Sequence, residues 1–120
     1  MFIKDLSNCK EIVAGDNTIL RELLHPDKAD LQLRYSLAYA TVRVGESSLP
    51  HRLKTSEVYY ILEGEGVMCI DDESAKVHQG QAIYIPPDSR QYIKNTGNSD
   101  LKFLCIVDPA WRKEDEEIYD

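Results

Sequence analysis

Apolar residues recur at alternate positions in several short runs of this chain, and turn residues separate the runs. Two examples are "EVYYILEG", which ends at Gly64, and "QAIYIPP", which ends at Pro86 and Pro87. Because alternate side chains of a β-strand face the same side, the pattern predicts strands that bury one face. Turn signals recur roughly every 8–12 residues, which indicates an all-β sandwich or barrel.

Two longer segments are predicted to form hairpins. "GVMCIDDESAKVHQG" pairs Val67–Ile70 with Ala75–His78 across a polar turn at Asp71–Ser74. "QYIKNTGNSDLKFLCIV" turns at Asn95–Asn98, a stretch rich in the residues that favour tight turns. The Tyr-, Val- and Thr-rich segment "LQLRYSLAYATVRV" predicts a further strand or strand pair.

Two segments near the ends of the chain allow a helix. In "DNTILRELLHPD", Asp16 or Asn17 could cap a helix that Pro26 stops, and an N-terminal strand is equally allowed. In "DPAWRKEDEEIYD", Pro109 could open a short turn or helix. We therefore expect one domain over residues 1–120, with a core at about 30–108 and a C-terminal tail over 109–120.

The charge of the chain is concentrated in that tail. The formal net charge is −7, and Lys113 to Asp120 supply −4 of it, so we expect an acidic, solvated C-terminal end. No basic face is evident, which argues against nucleic acid as a partner because phosphate binding needs clustered Lys and Arg. No apolar run approaches the length of a membrane span, and the N-terminal segment lacks the apolar centre of a signal peptide.

The three cysteines, Cys9, Cys69 and Cys105, form no CxxC pair and are odd in number. A disulfide scaffold is therefore not expected, and a cytoplasmic location fits. Cys69 and Cys105 lie in apolar runs, where we interpret them as small core residues. His25 and His78 lie next to turn residues, and we expect both at the surface.

Two spaced motifs carry a resemblance to a known family. The first has Gly45, His51-Arg52-Leu53, Glu57 and Gly64, and the second has Gly80, Pro86-Pro87-Asp88, Gln91 and Asn95. In order and spacing they resemble the two motifs of the cupin family. The resemblance implies a double-stranded β-helix, a jelly-roll barrel, with short N- and C-terminal extensions, often paired as a homodimer. Residues Met1–Leu24 would then be an exchanged or dimer-packing arm.

The departures from the family pattern concern its metal ligands. In metal-binding cupins two histidines and a glutamate of the first motif, with a histidine of the second, hold the ion. This chain keeps His51 and Glu57 at these positions, and Leu53 and Gln91 stand at the other two. His51, Glu57 and Gln91 could still offer one nitrogen and two oxygens to a divalent ion such as Zn, Mn, Fe, Co or Ni. The alternative is a hydrogen-bonded polar pair without metal.

Strand parity predicts which other side chains share this pocket. His51 and Leu53 face the same way, so Leu53 is expected to form an apolar wall for a ligand. Tyr59 shares parity with Glu57 and is a predicted substrate contact. Arg43 could grip an anionic group of a ligand, or it could be a surface arginine. Without a metal, Glu57 is the candidate catalytic base.

Two functional hypotheses follow. The first is an enzyme of isomerase or dioxygenase type, in which a divalent ion polarises a small polar organic substrate. The second is a binding or sensing module that holds a small ligand without metal and without chemistry. In both, the partners are a small molecule and a second copy of the chain, with no nucleic acid and no membrane.

Overall fold

The computed structural model describes residues 1–119, and residue 120 of the predicted acidic tail lies outside the described residues. The described chain is all-β, with two short 3₁₀ turns at Leu6–Asn8 and Lys113–Asp115. The strands are β1 (Glu11–Val13), β2 (Ile19–Leu24), β3 (Ser36–Val42), β4 (His51–Leu53), β5 (Ser56–Glu63), β6 (Glu65–Ile70), β7 (Glu73–His78), β8 (Ala82–Ile85), β9 (Gln91–Asn95), β10 (Leu101–Asp108) and β11 (Glu116–Ile118).

The strands form two antiparallel sheets that pack into a barrel. One sheet has six strands in the order β1-β2-β3-β10-β5-β8, and the other has five in the order β11-β4-β9-β6-β7. Strands distant in sequence thus lie side by side, as in a jelly roll. The predicted all-β jelly-roll barrel is confirmed.

The core lies between the sheets and follows the alternation of the sequence. In β10 the burial alternates strictly, and Leu101, Phe103, Cys105 and Val107 face inward. Phe103 packs against the ring of Tyr59 with the ring centroids 4.5 Å apart. The alternation read from sequence therefore selects the correct inner face, because every second side chain of a strand points to the same side.

Each of the two uncertain end segments contains a strand. Residues 19–24 form β2, which pairs with β3 of the same chain, so the helix considered there was wrong. Residues 113–115 form a 3₁₀ turn, and β11 then pairs with β4. Sheet pairing supplies the backbone partners of these segments, and it outweighs their local helix signals. The tail is therefore partly a structural element of the barrel.

The predicted surface position of His25 was also wrong. The His25 side chain is buried, and its Nε2 lies 2.8 Å from the carbonyl oxygen of Trp111. Its Nδ1 accepts a hydrogen bond from the backbone N–H of Asp27. This imidazole joins the β2 end to the C-terminal segment, a contact that sequence proximity does not reveal.

None of the helical turns within residues 1–119 is long or apolar enough to cross a membrane.

Candidate functional site

A cavity of about 450 Å³ opens between the two sheets at one end of the barrel. Most of its wall is apolar and includes Ala38, Leu53, Phe103, Val107 and Ile118. Its polar side chains include Asp16, His51, Glu57, Tyr59 and Glu116. An apolar cavity with a few convergent polar groups is the usual form of a small-molecule site.

Three of the predicted site residues come together from both sheets. His51 and Gln91 stand opposite each other across β4 and β9 of the five-stranded sheet. Glu57 reaches the same place from β5 of the six-stranded sheet. All three are buried. The polar groups thus lie where the two inner faces meet, at the inner end of the cavity.

Gln91 connects two side chains of the opposite sheet. Its Oε1 accepts a hydrogen bond of 3.1 Å from the hydroxyl of Tyr59. Its Nε2 donates a hydrogen bond of 3.0 Å to Oε1 of Glu57. The amide therefore uses one donor and its carbonyl oxygen on protein groups, and it fixes the orientation of the Glu57 carboxyl and the Tyr59 ring.

His51 is held by its backbone neighbourhood and faces a carboxyl group. Its Nδ1 lies 2.8 Å from the carbonyl oxygen of Leu49, so this nitrogen carries a proton and donates it to that oxygen. Its Nε2 points at Oδ2 of Asp16, 3.6 Å away. Sequence analysis assigned Asp16 only as a helix cap, and its place beside His51 was missed.

The β1–β2 turn holds Asp16 in that place. Oδ1 accepts hydrogen bonds from the backbone N–H and the hydroxyl of Thr18, at 3.1 and 2.7 Å. The backbone N–H of Leu49 donates to the carbonyl oxygen of Asp16 over 2.7 Å. Leu49 therefore binds both Asp16 and His51, and this leaves Oδ2 of Asp16 directed at the imidazole.

Glu116 is the second site residue that sequence analysis missed. It stands opposite Leu53 in the β11–β4 pairing, and the next residue, Glu117, faces outward and pairs with Arg52. Its Oε2 accepts a hydrogen bond of 3.5 Å from the indole N–H of Trp111. The alternation of Glu116 and Ile118 was a strand signal, but the acidic composition of the tail concealed it.

Burial and neighbouring carboxyl groups change the proton affinity of the site. Burial raises the pKa of Glu57 to about 8, the Gln91 hydrogen bond opposes this rise, and Asp16 and Glu116 add to it. Burial likewise raises the pKa of Glu116, and His51 partly offsets the effect. Glu57 is therefore mostly protonated at neutral pH, which is rare for a carboxyl group and typical of functional sites.

Two further titratable groups in the cavity wall remain protonated. Burial is the main cause that raises the pKa of the Tyr59 hydroxyl and of the Cys105 thiol, and the nearby Glu57 adds to both. A buried thiol that keeps its proton is a poor nucleophile. The cavity therefore offers Glu57 and His51 as its proton-transfer groups, and Cys105 acts as part of the apolar wall.

The four family ligand positions do not fit a metal centre of the family's kind. Leu53 has no donor atom, and Gln91 uses its amide on Tyr59 and Glu57. Within residues 1–119, no group of three or more His, Cys, Asp or Glu side chains is arranged to hold a metal ion. His51 and Glu57 alone remain at the ligand positions.

The other predicted contacts divide between cavity and surface. Leu53 and Tyr59 line the cavity, as their strand parity predicts. Tyr60, which has the opposite parity, is exposed. Arg43 is exposed and lies outside the group of side chains that line the cavity. Five of the six predicted site residues therefore lie together. Four of them line the cavity, namely His51, Leu53, Glu57 and Tyr59, and the fifth, Gln91, is hydrogen-bonded to Glu57 and Tyr59.

A family model describing the cupin domain matches residues 38–107. These residues contain both motifs and most strands of the barrel. The match leaves out the β1–β2 hairpin and β11, which supply Asp16 and Glu116. The two additional carboxyl groups of the site thus come from outside the part that the family model describes.

Individual proteins are similar to this chain to different extents. An uncharacterized protein of Methanocaldococcus jannaschii is 46% identical over 110 residues, which cover 91% of this chain and 87% of the relative. An oxalate-binding protein of Thermotoga maritima is 37% identical over 51 residues, 42% of each chain. The crystal structure of a predicted oxalate decarboxylase from Thermotoga maritima has a TM-score of 0.79 at 22% identity, covering 90% of this chain and 99% of that chain.

Proposed function

Because this chain belongs to the cupin family, we propose that it binds a small, largely apolar organic molecule inside its barrel. The cavity, which has about 450 Å³ and a polar inner end, is the observation that carries the proposal. Pockets for organic ligands usually measure about 300–1,000 Å³ and combine apolar walls with a few polar groups. The ligand would place its apolar body against Phe103 and Ala38 and its polar end near His51 and Glu57.

The unused hydrogen-bonding capacity of the site supports this orientation. Among the described residues, Oε2 of Glu57 has no hydrogen bond, although Oε1 is bound by Gln91. Nε2 of His51 likewise has no partner within hydrogen-bond distance in the described part of the chain. Among the described residues, the fully buried side-chain atoms without a hydrogen-bond partner are Glu22 Oε1 and Thr55 Oγ1, so Oε2 of Glu57 and Nε2 of His51 are accessible and can meet a polar group of the ligand.

Calorimetric titration with neutral aromatic alcohols, from phenol to 1-naphthol, tests this proposal. We expect saturable binding to the parent protein and at least about tenfold weaker binding to Ala38→Leu, because a larger side chain fills the cavity. Ala75→Leu is the matched control, since Ala75 is exposed on β7. Absence of binding to the parent, or equal binding to both variants, would reject the cavity as the binding site.

The second candidate function is metal-independent proton transfer by Glu57. Its carboxyl group is buried at the cavity, and its pKa of about 8 lies close to neutral pH. A carboxyl group with these properties can give and take a proton under ordinary conditions, and such a group contributes roughly 10²–10⁴-fold to a rate. This favours an isomerase-type reaction, in which a proton leaves one carbon atom of the ligand and returns to another.

Exchange of the α-protons of phenylacetone in D₂O, followed by NMR, tests this second function. We expect the parent protein to accelerate the exchange and Glu57→Gln to lose about 100-fold of that acceleration. Glu63→Gln is the control, because Glu63 lies on the same strand but is exposed and pairs with Lys102. Exchange that is no faster than in buffer would leave the protein a binding module.

The divalent ion on His51, Glu57 and Gln91 stays a prediction, as does a dioxygenase-type reaction that depends on it. Elemental analysis of untagged protein, with His51→Ala beside it, tests the ion on which that reaction would depend. Metal near one equivalent that disappears in the variant would support the ion. The homodimer also stays a prediction, and exposed apolar side chains near the free sheet edge, Phe2, Ile3, Ile12 and Val13, support it.

A further inference from the structure

The geometry points to an organic cation as the ligand: we propose that the cavity binds an ammonium group on an apolar body, between Asp16, Glu116 and His51. This inference rests on the proposed binding function and adds the chemical class of the ligand. Neither Asp16 nor Glu116 belongs to the two motifs that carry the family resemblance. The charge of the cavity, its free acceptor atoms and its apolar wall support the inference separately.

The first support is the balance of charge around the cavity. Its acidic side chains are Asp16, Glu22, Glu57 and Glu116, and its basic side chains are His51, Lys28 and Lys113. Lys28 and Glu22 form an ion pair of 2.5 Å, in which Lys28 is largely exposed. Lys113 is also exposed.

Both lysines thus lie at the solvent side, whereas Asp16 and Glu57 are buried at the inner end. Of the carboxyl groups that line the cavity, Glu57 keeps its proton at neutral pH, which leaves buried Asp16 and half-buried Glu116 as the groups that a cation can meet. Among the described lining residues, His51 is the basic side chain at that inner end. A cationic ligand would supply the missing positive charge. Since buried charges need partners of opposite sign, this charge would be strongly favoured there.

The second support is a pair of hydrogen-bond acceptors, Nε2 of His51 and Oδ2 of Asp16, that face each other without a hydrogen-bond donor of the described residues between them. Nδ1 of His51 donates to the carbonyl oxygen of Leu49, so a neutral imidazole directs the lone pair of Nε2 toward Oδ2 of Asp16. Two acceptors then face each other at 3.6 Å. Both side chains are nine-tenths or more buried, and His51 is only 2% exposed.

An ammonium group fits this arrangement because it has three N–H donors and no acceptor. It can donate to Oδ2 of Asp16, to Nε2 of His51 and to a carboxyl oxygen of Glu116. If the imidazole is protonated, it forms an ion pair with Asp16 by itself. Among residues 1–119, Glu116 then still forms no ion pair with a cation, so the preference for positive charge remains in either state.

The third support is the surface available to the body of the ligand. Phe103, Ala38 and Val107 border the cavity on the six-stranded sheet, and Leu53 and Ile118 border it on the other. Transfer of apolar surface to such a wall is favourable by about 25 cal/mol per Å².

The excess of carboxyl groups in the cavity disfavours small dianions such as oxalate, which the Thermotoga maritima relative is named for binding.

Three probes with one carbon skeleton test the inference: 2-phenylethylamine, 2-phenylethanol and phenylacetate. Each is titrated into the full-length protein by isothermal calorimetry at pH 7.5 and low salt. We expect the amine to bind at least about tenfold more tightly than the alcohol, which corresponds to about 1.4 kcal/mol. Phenylacetate and oxalate should show no saturable binding.

Two variants identify the groups responsible for the preference. Asp16→Asn and Glu116→Gln should each weaken binding of the amine about tenfold more than they weaken binding of the alcohol. Glu117→Gln is the matched control, because Glu117 adjoins Glu116 but faces outward and pairs with Arg52. A thermal unfolding curve for each variant verifies that it is folded.

The outcomes separate this inference from the function on which it rests. Binding of 2-phenylethanol without a preference for the amine would overturn the cation and leave the binding function standing. A preference that survives both acidic variants would equally overturn the assignment to Asp16 and Glu116. If none of the three probes binds, the binding function fails and this inference fails with it.

Discussion

Strand β9 carries two buried amides on the same face, and they have different tasks. Asn95 is 2% exposed and Gln91 is 1% exposed. Asn95 donates to the carbonyl oxygens of Val42 and Ser99 and accepts from the N–H of Gly97, so all its partners are backbone groups. Gln91 bonds to the side chains of Tyr59 and Glu57.

The two ends of this strand therefore represent two ways of burying polarity. Around Asn95 the barrel is closed, and Ile93 and Leu101 pack there without exposure. Around Gln91 the barrel opens into the cavity, and the bonded partners are groups that can bind a ligand or move a proton. A buried polar group whose hydrogen bonds are all made within the protein stabilises the fold. Polar groups that keep hydrogen-bonding capacity at a cavity can instead bind a ligand.

The largest expected effect is a loss of stability at the closed end. Ile93→Ala should lower the free energy of unfolding by about 4 kcal/mol, because it opens a cavity in a fully buried position. Denaturant unfolding measures the change, and Ile93→Val should cost about 1 kcal/mol in the same series. A cost for Ile93→Ala below that of Ile93→Val would mean that this end is not the tightly packed one.

A smaller loss is expected when the structural amide is removed. Asn95→Ala should cost about 3 kcal/mol, because it leaves three backbone groups without their partner. Chemical denaturation measures this, and Asn98→Ala in the exposed part of the same turn is the control. We expect the affinity for aromatic alcohols to stay unchanged in Asn95→Ala. Weakened binding would show that the two ends are coupled.

The next effect is a pH dependence that belongs to the open end. The pKa of Glu57 rises from its ordinary value of 4.5 to about 8 on burial. Between these values the folded protein holds a proton that the unfolded chain releases, so Glu57 makes the free energy of unfolding fall as pH rises. The slope for one proton is at most about 1.4 kcal/mol per pH unit.

Glu57→Gln removes this group and should remove its pH dependence. Relative to the parent protein, the variant should gain about 2 kcal/mol in unfolding free energy between pH 6 and pH 8. Denaturant unfolding at several pH values measures the difference, with Glu63→Gln as the exposed control. Parallel pH curves for parent and Glu57→Gln would contradict a raised pKa.

The smallest expected effect on stability is that of Gln91. Gln91→Leu should cost about 1 kcal/mol, because Tyr59 and Glu57 border the cavity and water can replace the lost partner. Since the Gln91 hydrogen bond lowers the pKa of Glu57, its removal should move that pKa above about 8. Titration of Glu57 by NMR measures the shift. A cost equal to that of Asn95→Ala would remove the distinction between the two amides.

Strand alternation was sufficient to predict most of the fold and half of the site. The parity of His51 with Leu53, and of Glu57 with Tyr59, placed these four side chains on inner faces, and all four line the cavity. The two cupin motifs predicted the jelly roll, which is confirmed. These predictions succeeded because the period of a strand is local and needs no knowledge of its neighbours.

The sequence alone determined the barrel, its inner faces and the side chains of His51, Glu57 and Gln91 as one polar group. Only the tertiary structure decided that Asp16 and Glu116 join them. The β1–β2 turn and the β11–β4 pairing bring these residues in from opposite ends of the chain. Pairing between distant strands depends on the whole barrel closing, and no local pattern around either carboxyl group specifies that closure.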